Sequence, residues 1–299
     1  MKEDLNRLLL TKENSIIGFV GTGVMGKSMA GHLLKAGYQV YVYTRTKSKA
    51  EDLIGIGAIW QDTVAELATK SNVIISMVGY PKDVEEVYLG ADGIINHAKS
   101  GSYLVDMTTS SPTLAKKIYE EARAKGMYAL DAPVSGGDVG AKEARLAIMV
   151  GGDEDVFKEL VPILSYVGKN IILQGRAGAG QHTKMCNQIA IASNMMGVCE
   201  AMAYAHKSGL NPETVLKSIE SGAAGSWSLS NLASRMLADN FEPGFYVKHF
   251  IKDMTIALAS AKEMGLLTPG LELAKSLYDR LAEQGEENSG TQALYKLYR

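Results

Sequence analysis

The stretch IIGFVGTGVMGKSMAGHLLKAGYQVYVYTRTKSKA, Ile16 to Ala50, sets Gly21, Gly23 and Gly26 between a short apolar run and a helical pattern. The spacing is G-x-G-x-x-G, placed directly after a predicted strand and at the start of a predicted helix. Glycine there permits a tight turn and lets backbone N–H groups approach a pyrophosphate, whose charge meets the positive end of the helix dipole. Ala30, Leu33, Leu34 and Gly37 then recur at the spacing that packs a helix on a sheet. Strand, triplet, helix and second strand within about thirty residues predict a dinucleotide site, with Val24 and Met25 belonging to its loop. A purely structural turn is the competing reading.

Outward from this unit the alternation continues. Ile16–Val20, Val40–Tyr43, Val73–Val78, Tyr103–Asp106, Met127–Ala132, Ala147–Val150 and Ile171–Leu173 read as strands. Met25–Ala36, Pro81–Val87, Pro112–Lys125 and Asp153–Ser165 read as the helices between them. Such alternation implies βαβ units and a mostly parallel sheet. After GRAGAGQ, Gly175 to Gln181, it stops, and His182 to about Lys207 reads as a long helix, apolar on most sides and buried. Gly, Pro and Asn then break the chain into shorter helices. The expected fold is an α/β Rossmann-like N-terminal domain, residues 1–176, followed by an all-α C-terminal domain, residues 177–299, for substrate and oligomerisation, that opens with a long interdomain helix.

The residues ending the second strand bear on the choice of cofactor. A site for NAD usually places Asp or Glu there for the ribose hydroxyls, whereas a 2′-phosphate calls for Arg and hydroxyl donors. Here YVYTRTKSK puts Thr44 in the acid's place, followed by Arg45 and Thr46, with Lys47 and Lys49 nearby. A guanidinium clasps phosphate and stacks on adenine, so NADP(H) is favoured and NAD(H) left open. A solvated charged edge is the bland alternative.

Composition narrows the partners. The 299 residues suffice for two cores, and a net charge of −2 lacks the basic footprint of a nucleic-acid or anionic-membrane binder. No stretch has membrane-spanning length, and the leucines of the opening MKEDLNRLLLTKEN are too few for a signal peptide core. Cys186 and Cys199 fit neither a zinc site nor a redox pair and are expected to pack as reduced thiols, so a cytoplasmic protein with a small-molecule partner is expected.

Two further stretches carry chemistry. DAPVSGG, Asp131 to Gly137, ends a strand with a turn in which Gly136 and Gly137 let N–H groups converge and Ser135 adds a hydroxyl, an arrangement suited to a carboxylate, though a plain Pro/Gly turn reads the same way. GAGQHTKMCNQ opens the long helix with Lys184, Asn187 and Gln188 spaced i, i+3, i+4 on one face. A lysine on an otherwise nearly uncharged helix either has a task or snorkels to the surface.

Together with DMTTSSP at Asp106–Pro112 and FIKDMTIALASAKEMG at Phe250–Gly265, these stretches resemble the β-hydroxyacid dehydrogenase family, in the family's order and over nearly the whole chain. The resemblance implies that Lys184 is the catalytic lysine, that Ser135, Gly136 and Gly137 form the substrate-binding loop, and that Thr109 contacts cofactor. It also implies that Lys252 lies close to the cofactor, that Val78 and Gly79 are where a strand end passes it, and that the protein is a dimer or tetramer. Asp253 accompanies Lys252 and reads equally as half of a solvent-facing pair. Three departures stand out: Gln188 where many members have Asn, with Asn187 before it; MVGYP without the family's Leu-Pro; and EENSGTQALYKLY near the C-terminus.

The expected reaction moves hydride between NADPH and the carbonyl carbon of a small acid, of the 3-hydroxyisobutyrate, tartronate semialdehyde, or 4-hydroxybutyrate and glyoxylate class. Lys184 exchanges the proton, and Asn187 or Gln188 orients the oxygen. No metal is called for, and His182, His206 and His249 are expected on the surface or in packing. The alternatives are an imine reductase-like enzyme, in which another residue usually replaces the lysine, and a non-catalytic NADP-binding sensor.

Overall fold

The computed structural model describes residues 10–299, in two compact units, the first ending at Lys184 and the second spanning Met185–Arg299. The residues before Leu10, which carry most of the opening read above as too poor in leucine for a signal peptide core, lie outside the described residues.

The first unit runs β1 (Ile16–Val20), α1 (Val24–Lys35), β2 (Gln39–Tyr43), α2 (Glu51–Gly55), β3 (Ile59–Trp60), α3 (Val64–Lys70), β4 (Val73–Ser76), α4 (Pro81–Leu89), α5 (Ile94–His97) and β5 (Tyr103–Asp106). It continues with α6 (Pro112–Ala124), β6 (Tyr128–Asp131), β7 (Val134–Ser135), α7 (Gly137–Lys142), β8 (Leu146–Gly151), α8 (Glu154–Leu164) and β9 (Gly168–Gly175). The sheet order is β3-β2-β1-β4-β5-β6-β8-β7, with β9 paired to β8. Pairs from β3 through β6 are parallel. The order reverses at β1, which lies between β2 and β4, and such a reversal opens a crevice at the carboxyl ends of the strands.

The parallel strands are apolar runs because both faces are covered. In β4 the period of two sends Val73 and Ile75 into one core with Ile17, Phe19, Met29 and Leu33, and Ile74 into the other with Leu67, Val84 and Leu104. The sheet is mostly parallel, as expected; the exception is β8, which runs antiparallel to both β6 and β7. Strands β3 and β7, two residues each, were not predicted; they are too short for a period to register.

The second unit is all-helical, with α9 (Ala179–Lys207) starting in the first unit and ending here, then α10 (Pro212–Ile219), α11 (Trp227–Leu237), α12 (Val247–Glu263) and α13 (Pro269–Leu281). A single bridge, Tyr246 to Gly290, is the β pairing among its described residues. Its core gathers Met195, Cys199, Met202, Leu232, Met236, Phe250, Met254 and Tyr278. Before its last turn α9 is buried or half-buried on most sides, and one stripe, Cys186, Ala190, Ser193, Gly197, Glu200 and Tyr204, is exposed, Tyr204 at 74%. Small residues there give apolar composition without burial. Cys186 is accordingly an exposed thiol, while Cys199 is buried, and both are free. No described helix is long and apolar enough to cross a membrane.

Candidate functional site

The glycine-rich loop follows β1 directly. Gly21 sits at φ +96°, where a Cβ would meet the Met77 carbonyl oxygen at 2.2 Å. A Cβ on Gly26 would lie 1.9 Å from the Gly21 carbonyl oxygen, so these two glycines are demanded by the chain's contact with itself. Gly23, the first residue ahead of α1, differs: a Cβ there meets nothing within 4 Å. The loop thus keeps an open cradle at the N-terminus of a twelve-residue helix, the geometry that admits a pyrophosphate. Val24 and Met25 form the first turn of that helix.

The parallel ladder brings other predicted residues to the same edge of the sheet. Thr44, Arg45 and Thr46 follow β2; Val78 and Gly79 follow β4; Thr109 follows β5. Gly21 N–H donates to the Tyr43 carbonyl at 2.8 Å, and Val78 N–H donates to Thr108 Oγ1 at 3.0 Å, so neighbouring loops are fixed to one another. Arg45 Nη1 stands 3.2 Å from Asp83 Oδ1 with its side chain 77% exposed. Asp83, held in turn by the Tyr80 N–H, orients the guanidinium while leaving its donors facing solvent. Lys47, in contrast, lies over the Trp60 ring.

Buried acids continue the edge. Asp106, ending β5, accepts from Ser76 Oγ at 2.8 Å and Thr108 N–H at 3.1 Å. Burial pushes its carboxyl up to about 6; those hydrogen bonds oppose the rise and nearby Asp131 adds to it. Burial likewise raises the Asp131 carboxyl, against backbone N–H groups that favour its ionised form. Neither acid's burial is legible in the sequence, although Asp106 opens DMTTSSP and Asp131 opens DAPVSGG.

Ser135 and the glycines after it depart from the expected turn. Ser135 lies in β7, opposite Ala147 of β8, and Gly136, at φ +129°, leads into α7, which starts at Gly137. The antiparallel partner β8 supplies the pairing that turns Val134–Ser135 into strand.

Lys184 lies in the first unit and is 6% exposed, buried rather than snorkelling. In the second unit Asn187 Nδ2 donates to Gln188 Oε1 at 2.7 Å, Gln188 Nε2 donates to Asp253 Oδ2 at 2.6 Å, and Lys252 Nζ pairs with Asp253 Oδ1 at 3.0 Å. Asp253 is 2% exposed, so the Lys252–Asp253 pair does not face solvent. Gln188 is thus the amide that links Asn187 to this buried acid. Of the histidines, His206 is exposed, His182 is half-buried, and His249 is packed edge-on to Tyr246, its pKa lowered by burial and then by Lys252 and Lys248. No group of three His, Cys, Asp or Glu among the described residues could hold a metal ion.

A doubly wound sheet with this cradle, followed by a helical unit entered through a lysine-bearing helix, defines a dinucleotide-dependent oxidoreductase. Residues 16–175 match the family model for the NAD binding domain of 6-phosphogluconate dehydrogenase, and residues 178–298 that for the NAD-binding of NADP-dependent 3-hydroxyisobutyrate dehydrogenase. The chain is 68% identical to the Bacillus subtilis oxidoreductase YkwC, over 94% of this chain and 98% of that protein. It is 39% identical to 2-hydroxy-3-oxopropionate reductase of Escherichia coli, over 90% and 92% respectively. Among solved structures, 3-hydroxyisobutyrate dehydrogenase of Mycobacterium tuberculosis with L-serine superposes with a TM-score of 0.88 at 28% identity, covering 95% of this chain and 99% of that one. The chain belongs to the β-hydroxyacid dehydrogenase family and is an NAD(P)-dependent hydroxyacid oxidoreductase.

Proposed function

We propose that the enzyme is an NADP(H)-preferring reductase of small carbonyl acids, with Lys184 as the proton donor. The observation that carries this reading is the burial of Lys184, 6% exposed on α9, since a lysine is withdrawn from water only at a cost that a partner or a task must offset. When bound, the nicotinamide supplies the hydride that the carbonyl carbon accepts. The Lys184 ammonium stabilises the charge building on the oxygen and gives it a proton, leaving a neutral amine, so hydride and proton together convert C=O to CH–OH. Ser135 Oγ and the N–H groups of Gly136 and Gly137 bind the carboxylate, and Asn187 and Gln188 orient the reacting oxygen. Gly21, Gly23, Val24, Met25 and Gly26 cradle the pyrophosphate, with Val78, Gly79, Thr109 and Lys252 along the cofactor.

The NADP preference rests on Arg45, whose exposed guanidinium is already oriented by Asp83 beside Thr44 and Thr46. The substrate class draws on the names of relatives: a 2-hydroxy-3-oxopropionate reductase and a 3-hydroxyisobutyrate dehydrogenase seen with L-serine, all small acids carrying oxygen near the carboxylate. Division into a nucleotide domain, 1–176, and a helical substrate domain, 177–299, in a dimeric or tetrameric enzyme belongs to the same reading. Consumption of NADPH and NADH is to be followed with tartronate semialdehyde, methylmalonate semialdehyde, succinic semialdehyde and glyoxylate, on wild type and Lys184→Ala. Turnover with NADPH that Lys184→Ala abolishes, with cofactor binding intact, is expected. NADPH binding by wild type without turnover of any of the four would refute it.

A further inference from the structure

The first turn of α9 is seated on the sheet with little slack. Asp131 Oδ1 accepts the Gly178 N–H at 2.7 Å and Oδ2 accepts the Gln181 N–H at 2.8 Å, so one carboxylate spans the donors that a helix start leaves unbonded. Gln181, fully buried, then uses both ends of its amide: Oε1 accepts the Ser110 N–H at 2.9 Å and Nε2 donates to the Thr108 carbonyl at 2.7 Å. The approach is as close as backbone allows. A Cβ on Gly180 would lie 2.3 Å from the Met149 carbonyl oxygen, and one on Gly151, which pairs with Asp131, 2.5 Å from Asp131 Oδ1.

Lys184 follows Gln181 by three residues and therefore stands on the same face, one turn along. Thr108 and Ser110, the two residues Gln181 grips, flank Thr109. We propose that Asp131 and Gln181 are positioning residues for Lys184, seating the start of α9 on the carboxyl edge of the sheet and fixing the lysine relative to the Thr108–Ser110 loop. Neither side chain touches the reacting atoms. Their effect is geometric, because Gln181 and Lys184 lie one turn apart on the same helix and a slip of its first turn carries the ammonium with it. This rests on the reading of Lys184 as proton donor.

The test is Asp131→Asn, which keeps shape but replaces one acceptor with a donor facing an N–H. Kinetics use NADPH and whichever of the four acids wild type reduces fastest. A displacement of about 1 Å costs up to about a hundredfold in rate, so kcat is expected to fall by about ten- to a hundredfold. The dissociation constant for NADPH, read by its fluorescence, is expected to stay within about threefold, while the thermal midpoint falls because a buried N–H is left facing a donor. In a Lys184→Ala background the same substitution is expected to change the single-turnover rate by less than about threefold, because the positioned group is gone. If that background has no measurable rate, the separation of kcat from NADPH binding decides. An equal loss in both backgrounds, NADPH binding lost along with kcat, or an unchanged kcat would each overturn the proposal. Should Asp131→Asn fail to fold, Gln181→Met is judged by the same readings, and if neither folds the contacts are structural and the proposal falls. Full activity in Lys184→Ala itself would sink the proton-donor reading instead.

Discussion

Replacing Gly23 by alanine separates the cofactor cradle from the fold that carries it. The residue is exposed at φ −71° and ψ −164°, a backbone any residue adopts, and its Cβ would meet no protein atom within 4 Å. Alanine restricts the unfolded chain, a gain of about 0.4–1 kcal/mol, and is a poorer residue than glycine ahead of a helix, a loss of similar size. Stability is expected to stay within about 0.5 kcal/mol of wild type. The new methyl, however, stands where a pyrophosphate must approach the loop's N–H groups, and NADPH affinity is expected to fall at least about tenfold, or about 1.4 kcal/mol. Gly26→Ala is the contrast. Its Cβ would lie 1.9 Å from the Gly21 carbonyl oxygen and 3.1 Å from Phe19 Cε1, so the turn must open at a cost of about 1–3 kcal/mol even without cofactor. Urea unfolding of the apoprotein and NADPH fluorescence titration measure the two quantities separately. Wild-type NADPH affinity in a folded Gly23→Ala would refute the assignment of this loop to the pyrophosphate.

Other outcomes follow from single contacts. Arg45→Ala is expected to raise the KM for NADPH about tenfold or more and leave that for NADH within about twofold, the difference being the charge-assisted phosphate contact; steady-state kinetics with both cofactors checks it. Asp106 has its pKa raised from 3.8 to about 6, worth about 3 kcal/mol. Because the folded-state value is the higher one, that contribution is fully present below about pH 4 and is lost as pH rises through about 6. The thermal midpoint of wild type relative to Asp106→Asn is therefore expected to climb from pH 7.5 to pH 4.5, and a flat difference would count against it. Asp253→Ala removes the acceptor of Gln188 and the counter-charge of Lys252, so a loss of about 3 kcal/mol is expected in urea unfolding, with Asp253→Asn losing less.

The alternation of strands and helices was legible because each step is local: a period of two or 3.6, a Pro or an acid in a first turn. Even so α3 escaped notice, although Thr63 and Glu66 carry the expected capping pattern and the Thr63 side chain does accept the Glu66 N–H. The antiparallel turn of β8 was not legible, since direction is set by which strand it meets, not by its own residues. The candidate site divides the same way. The glycine triplet announced itself through spacing, whereas Asp131 meets Gly178 and Gln181 forty-seven and fifty residues on, and Gln188 meets Asp253 across sixty-five.

By itself the sequence determined the class of the two halves, the glycine-rich loop between strand and helix and the presence of a lysine on a nearly uncharged helix, because these depend on backbone freedom and periodicity within one or two turns. Only the tertiary structure decided that Lys184 is buried, that Gly23 alone of the three glycines faces open space, and that Asp131 and Asp253 are buried and hydrogen-bonded. A carboxylate's role is set by the donors around it and the water taken from it, and both arrive from segments far away in the chain.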